Sequence, residues 1–155
     1  MDFAKLLEAF ASAAARGDGD ALADLFTADG TYVDYFFGPF TGRAAIKEML
    51  AHFGEGGRDF RWEFHAPAHA GDIAYASYRF SVTSTRPEAN NARVVFDGMS
   101  RFDFEGGKIK RYSEVFDRGM ALAQQAYEPE RLVKIGQRYA RTLKEQPEWA
   151  RHVKA

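Results

Sequence analysis

The chain has 155 residues, no cysteine, and 21 basic against 22 acidic side chains, for a formal net charge of −1. That length makes one domain of ordinary size, able to bury a core. Disulfides and thiolate chemistry are excluded, and a charge so near zero gives nucleic acid or an anionic membrane no electrostatic hold. No run approaches the roughly 20 apolar residues that a bilayer-spanning helix needs. The opening Met-Asp-Phe-Ala-Lys lacks a basic start followed by an apolar stretch, so the expected setting is the cytoplasm. Composition is skewed in one respect, with 14 Phe, 7 Tyr and 2 Trp. Such rings fill cores, and they also line cavities for apolar ligands.

Residues 2–16 carry Phe3, Leu6, Leu7, Phe10 and Ala14 at helical spacing, which predicts an amphipathic helix. Gly17-Asp18-Gly19-Asp20 ends it and caps a second, short helix bearing Leu22, Leu25 and Phe26. Asp29-Gly30 reads as a turn, Thr31 to Phe37 as a strand, and Gly38 to Arg43 as a break. A third helix is expected from about Ala44 to Phe53, with Ile46, Met49, Leu50 and Phe53 inward, followed by a loop over Gly54–Gly57. That glycine-rich loop leaves a helix and enters a strand and lacks a following Lys-Ser/Thr, so it is not a phosphate loop.

The period then changes from 3.6 to 2. Phe60, Trp62 and Phe64 share one face, as do Ala76, Tyr78, Phe80 and Val82. Phe96, Gly98, Ser100, Phe102 and Phe104 form a third such set, and Tyr112, Glu114 and Phe116 a fourth. Alternation of this kind predicts strands with one buried face. Turns are expected at Ala70-Gly71-Asp72, Arg86 to Asn91 and Glu105 to Lys108. From Arg118 the chain reads as helix again, in two pieces broken near Glu128-Pro129, with the apolar stripe Leu132, Ile135, Tyr139 and Leu143. Helices followed by an antiparallel meander make an α+β fold. The domain is expected over residues 1–118, with 119–155 as a helical extension of it that packs over a pocket mouth or a second subunit.

Two acids break the aromatic pattern. Asp34 follows Tyr32 on the first strand, and Glu114 follows Tyr112 on the last. A carboxylate aimed into an aromatic hollow is costly unless it binds or transforms something. Asp34, Glu114, Tyr32 and Tyr112 are therefore the candidate catalytic groups. Trp62, Phe64, Tyr78, Phe80, Phe96, Ser100 and Phe116, on the same inner faces, are the candidate substrate-binding residues. The competing reading has the acids paired with Arg43 or Arg101, or bonded to tyrosine hydroxyls, as structural groups. His52, His65, His69 and His152 show no ligand spacing, so no metal or other cofactor is expected.

The chain resembles the nuclear transport factor 2-like superfamily, in its SnoaL-like and ketosteroid-isomerase-like branch. The resemblance is carried by Gly17-Asp18 before Leu22 to Phe26, by Asp29 to Asp34, by Thr41 to Ile46, and by Phe104 to Ile109 running into Glu114 to Asp117. It implies a cone-shaped curved antiparallel sheet wrapped by N-terminal helices, a deep pocket, and a homodimer through the outer sheet face. Asp34 stands where ketosteroid isomerases keep the carboxylate that moves a proton, whereas Phe10 stands at their tyrosine and Gly98 or Met99 near their second acid. Glu114 stands where SnoaL-type cyclases carry an aspartate and limonene epoxide hydrolases one member of an Asp-Arg-Asp set. The other two members of that set fall on Tyr78 and Phe80, and Tyr32 matches a pocket tyrosine of those hydrolases. The histidine of scytalone-dehydratase-like relatives falls near Phe64 or His65. No relative's full catalytic set is reproduced.

The expected activity is cofactor-independent proton transfer on a small apolar or aromatic ligand bearing a carbonyl or hydroxyl. Two rivals are a non-catalytic pocket for a hydrophobic ligand and a dimeric scaffold contacting through Val95 and Met99.

Overall fold

The computed structural model describes residues 2–154. Helix α1 (Phe3–Arg16) starts on the Asp2 side chain, which accepts from the Lys5 amide, and buries Phe3, Leu7, Phe10, Ala13 and Ala14. Asp18 caps α2 (Gly19–Asp24) through the Ala21 amide at 3.0 Å. Strand β1 (Phe26–Asp34) and the short β2 (Gly38–Thr41) form a hairpin, after which α3 (Arg43–Glu55) buries Ile46, Met49 and Leu50. The meander β3 (Gly57–Ala70), β4 (Ile73–Ser84), β5 (Arg93–Glu105) and β6 (Lys108–Phe116) follows. Helices α4 (Arg118–Ala123), α5 (Pro129–Lys144) and α6 (Ala150–Val153) complete the chain. Among the described residues no helix is long and apolar enough to cross a membrane.

The sheet runs β2-β1-β6-β5-β4-β3. It is mixed rather than wholly antiparallel, because β1 joins the meander parallel to β6, with Tyr32 opposite Tyr112 and Val33 opposite Ser113. It is also open, with β2 and β3 as its edges. Curvature comes from irregularities in register. In β3 these fall between Arg58 and Arg61 and between His65 and Ala68, and they coincide with left-handed backbone at Asp59 (φ 55°) and Ala66 (φ 49°). An extra residue in one strand bends it and increases its twist.

Several local expectations change. Phe26 leaves α2 and opens β1, and Asp29-Gly30 lies inside that strand rather than forming a turn. The β1–β6 register slips between Phe26 and Thr31, and a side chain at Gly30 would meet Ile109 O at 2.9 Å. Here glycine serves a close backbone approach, which in sequence looks the same as a turn. β1 ends at Asp34, not Phe37, since Tyr35 to Phe37 turn the chain into β2. The Gly54–Gly57 loop shrinks to Gly56 between α3 and β3.

The core gathers where α1 crosses the concave face of the sheet. Phe10 is fully buried, and its ring lies 4.8 Å from that of Tyr112, 5.4 Å from Trp62 and 6.0 Å from Tyr32. One helix residue thus ties together β1, β3 and β6. Replacing it leaves a void that the surrounding strands cannot fill by relaxing. Phe10→Ala is expected to cost about 3–5 kcal/mol of stability by urea denaturation. Phe37→Ser, at a side chain 74% exposed, should leave the midpoint near the wild-type value.

Candidate active site

The strand registers place the two acids side by side. Continuing β1 along β6 past Val33 and Ser113 brings Asp34 next to Glu114 on the concave face. From β4, Tyr78 lies opposite Gly98 of β5, which lies opposite Phe116 of β6. With no side chain at position 98, the Tyr78 ring passes across β5 and its hydroxyl donates to Glu114 Oε2 at 2.7 Å. A Cβ at 98 would sit 2.5 Å from Tyr78 Cζ and 2.7 Å from Val115 O. Tyr112 donates to the same Oε2 at 3.1 Å. Its single proton being committed there, the 2.9 Å contact with Ser100 runs from the serine hydroxyl to the tyrosine oxygen. Among the described residues Oε1 of Glu114 takes no hydrogen bond, and it is left facing open space.

That space is a cavity of about 450 Å³. Asp34, Glu114, Tyr32 and Tyr78 supply polar groups to its inner wall, and Trp62, Phe80, Phe96 and Phe116 its aromatic surface. Three candidates are not on the wall. Phe64 packs against Phe10 and Phe102, while Ser100 and Tyr112 are fully buried behind Glu114. They share the correct face of their strands but lie nearer the narrow end of the cone, which α1 fills. Tyr112 and Ser100 therefore support Glu114 rather than meeting a ligand.

Neither acid is held by arginine. Arg43 donates to Phe26 O at 3.0 Å, and Arg101 pairs with Asp103 at 2.7 Å. Asp34, 4% exposed, instead accepts the amides of Phe36 and Phe37, both at 2.8 Å and both on Oδ1. Its Oδ2 has no protein partner among the described residues. Trp62 Nε1 is, among those residues, the one buried side-chain polar atom without an acceptor, lying among aromatic rings.

Burial shifts both carboxyls upward. For Glu114 desolvation dominates, the neighbouring Asp34 adds to it, and the Tyr78 and Tyr112 hydrogen bonds oppose it; the result is about 8 against an ordinary 4.5. The surface that Glu114 retains faces the cavity, so protein encloses the group even though it is not sealed. Asp34 is also raised by burial, against the pull of its two amide donors. Glu114 is thus neutral at pH 7. Burial likewise raises the hydroxyls of Tyr32 and Tyr112, keeping both protonated. Among the described residues no group of three or more His, Asp or Glu side chains is arranged to hold a metal ion.

The sequence profile of the SnoaL-like domain matches residues 7–112. The chain belongs to the SnoaL-like family. Solved structures agree on the fold. One is a protein from Catenulispora acidiphila with a ketosteroid isomerase-like fold, solved with trimethylamine; it shares 23% identity over 79% of this chain and 93% of its own, with a TM-score of 0.70. Another is a candidate polyketide cyclase from Xanthomonas campestris, with 23% identity, 79% and 96% coverage and a TM-score of 0.68. A third is a LEH-like epoxide hydrolase from M. tuberculosis, with 18% identity, 78% and 86% coverage and a TM-score of 0.63. At such identities the likeness establishes architecture, which in this family hosts different chemistries. Comparison with curated proteins returned no match. In this SnoaL-like chain the family match ends before α4, yet Arg131, Ile135, Arg138 and Tyr139 of α5 line the cavity. The sequence reading placed an apolar stripe there and did not single out the arginines, because periodicity marks a polar face without saying what that face meets.

Between pH 4.5 and about 8 the folded chain keeps a Glu114 proton that the unfolded chain has released. The folded state therefore binds more protons across this window, and stability falls as pH rises through it. Glu114→Gln removes that loss. Its stability relative to wild type should rise between pH 5 and pH 7 by up to about 3 kcal/mol, at about 1.4 kcal/mol per pKa unit, in paired urea denaturations.

Proposed function

We propose that the chain is a cofactor-independent acid–base enzyme acting on a small apolar molecule that bears a carbonyl or hydroxyl group. One observation carries this reading. A carboxyl that is neutral at pH 7 faces an aromatic cavity through one oxygen, while two tyrosine hydroxyls hold the other. A carboxylic acid kept neutral near operating pH is a proton donor with little driving force to lose.

The step follows from the two oxygens left open. A substrate carbonyl beside Glu114 Oε1 receives its proton while Asp34 Oδ2 removes a proton from the adjacent carbon. The C–H electrons become the new C=C bond, and the carbonyl π electrons take the proton from Glu114 to give an enol. The Glu114 carboxylate so formed is stabilised by the Tyr78 and Tyr112 hydroxyls already aimed at it. Tyr32, on the same wall, donates to the substrate oxygen as charge develops. Where a double bond lies β,γ to the carbonyl, the proton held by Asp34 returns at the γ-carbon while the enol proton goes back to Glu114, which isomerises the substrate. Attack of the enol carbon on a second carbonyl, whose oxygen takes the Asp34 proton as the enol proton returns to Glu114, cyclises it. A β-hydroxyl leaving as water with the Asp34 proton, as the enol proton returns to Glu114, dehydrates it. None of these needs a redox or metal step. Asp34 suits the base because its two amide donors oppose the upward shift of burial and leave Oδ2 open.

The outer sheet face is proposed to seat a second copy. Val95, Met99 and Val115 are 53%, 49% and 56% exposed there, and Met99 lies directly opposite Val115. Apolar neighbours of this kind on a sheet surface mark an association site. In sedimentation velocity the wild type should run as a dimer and Met99→Lys as a monomer; a wild-type monomer would remove the idea.

Turnover is tested with a panel of cyclic ketones, following the appearance of conjugation. Glu114→Gln and Asp34→Asn should each lower kcat by about 10²–10⁴ while ligand binding survives. The wild-type rate should fall as pH rises through about 8, where Glu114 loses its proton, and this alkaline limb should vanish in Glu114→Gln. Binding with no turnover in the wild type would leave a ligand-holding module instead.

A further inference from the structure

Helix α5 lies beyond the family match and contains no buried residue, yet it closes one side of the cavity. Its position is fixed at one point. The Tyr139 hydroxyl donates to Phe36 O at 3.3 Å, and the Arg118 guanidinium lies between the rings of Tyr139 and Tyr35, at 3.5 and 3.9 Å. Residues 131, 135 and 138 recur at i, i+4 and i+7 and so share the helix face turned to the cavity. Two arginines flank an isoleucine on that face, about 10.5 Å apart along the axis. The other cations of α5, Lys134, Arg141 and Lys144, do not line the cavity.

The remaining arginine of the mouth is occupied. Arg86 pairs with Glu88 at 3.3 Å, donates to Gln125 O at 3.2 Å and covers the Tyr127 ring at 4.0 Å. Arg131 and Arg138 pair with no carboxylate among the described residues. Neither acid of the inner wall pairs with them: Glu114 Oε2 takes the Tyr78 and Tyr112 hydroxyls, and Asp34 Oδ1 takes the amides of Phe36 and Phe37. The cavity therefore has an aromatic middle, a proton-bearing inner end and a cationic mouth. Guanidinium groups match the planar geometry of a carboxylate and are weakly hydrated, which suits them to a half-enclosed rim.

We propose that the mouth is an anion subsite in which Arg131 and Arg138 receive a carboxylate carried by the ligand, whose apolar body lies along the aromatic wall toward Glu114. The natural substrate class is then an apolar or aromatic acid with its reacting carbonyl remote from the carboxylate. The assignment of the reacting end rests on the acid–base reading above; the recognition of the anion does not.

The test uses the full chain in isothermal titration calorimetry at pH 7 and low salt, with 2-naphthylacetic acid and its neutral isostere 2-naphthylacetamide as probes. The acid should bind about tenfold or more tightly than the amide, and added salt should narrow the gap. Both arginines are exposed, so the Arg131→Gln, Arg138→Gln double variant keeps the fold. Its affinity for the acid should fall to that for the amide, with amide binding unchanged. Equal binding of the two probes, no binding of either, or an acid preference that survives the double substitution overturns the subsite. A wild type that prefers the acid but turns over no ketone retains the subsite and loses the enzyme reading. Turnover without acid preference does the reverse.

Discussion

Water cannot properly solvate a charge on Glu114, and much of the molecule is arranged around that deficit. The aromatic rings of four strands and the Phe10 ring of α1 pack the narrow end of the cone and leave the carboxyl to whatever the protein supplies. It supplies two phenol protons, both to one oxygen. Hydrogen bonds to a charged group are worth about 1.5–3 kcal/mol each, and burial still prevails, since the group ends well above its ordinary range. The tyrosines limit the cost of ionisation without removing it.

Asp34, on the neighbouring strand, finds a different source of relief. It too is buried, but the turn after β1 folds back and offers two backbone amides. Amides favour the charged form more directly than a crowd of rings does. Burial raises both carboxyls, and the opposing pull comes from backbone amides at Asp34 and from tyrosine hydroxyls at Glu114. The turn that supplies the amides, Tyr35 to Phe37, also anchors Tyr139 of α5 through Phe36 O and Arg118 of α4 through Tyr35 O, so the site and its helical wall share one support.

Much of this was legible in the chain. Period-2 alternation marked all four meander strands and put Glu114 on the same face as Phe116, because parity is a local property of extended backbone. The parallel pairing of β1 with β6 was not legible from spacing: it joins segments some 80 residues apart and leaves no mark on either. Parity also failed to sort depth. Phe64, Ser100 and Tyr112 face inward as expected, but a cone has a filled end and an open end, and the alternation of a strand does not say which end a residue is near. The arginines of α5 were missed for a similar reason. An amphipathic pattern separates apolar from polar positions, and only the docking of the helix against Phe36 shows that part of its polar side overlooks a cavity.

Glycine at position 98 has a consequence for how this site can be altered. The volume above it is held by a phenol arriving from the neighbouring strand, and Val115 O closes the remaining gap. Strand β5 therefore imposes an either-or: the Tyr78 ring or a side chain rooted at 98 can occupy that spot, never both. A second carboxylic acid of the ketosteroid-isomerase kind could be engineered there only after the phenol is cut away. The hydrogen-bond circuit around Glu114 and that alternative oxyanion clamp are thus competing tenants of one space.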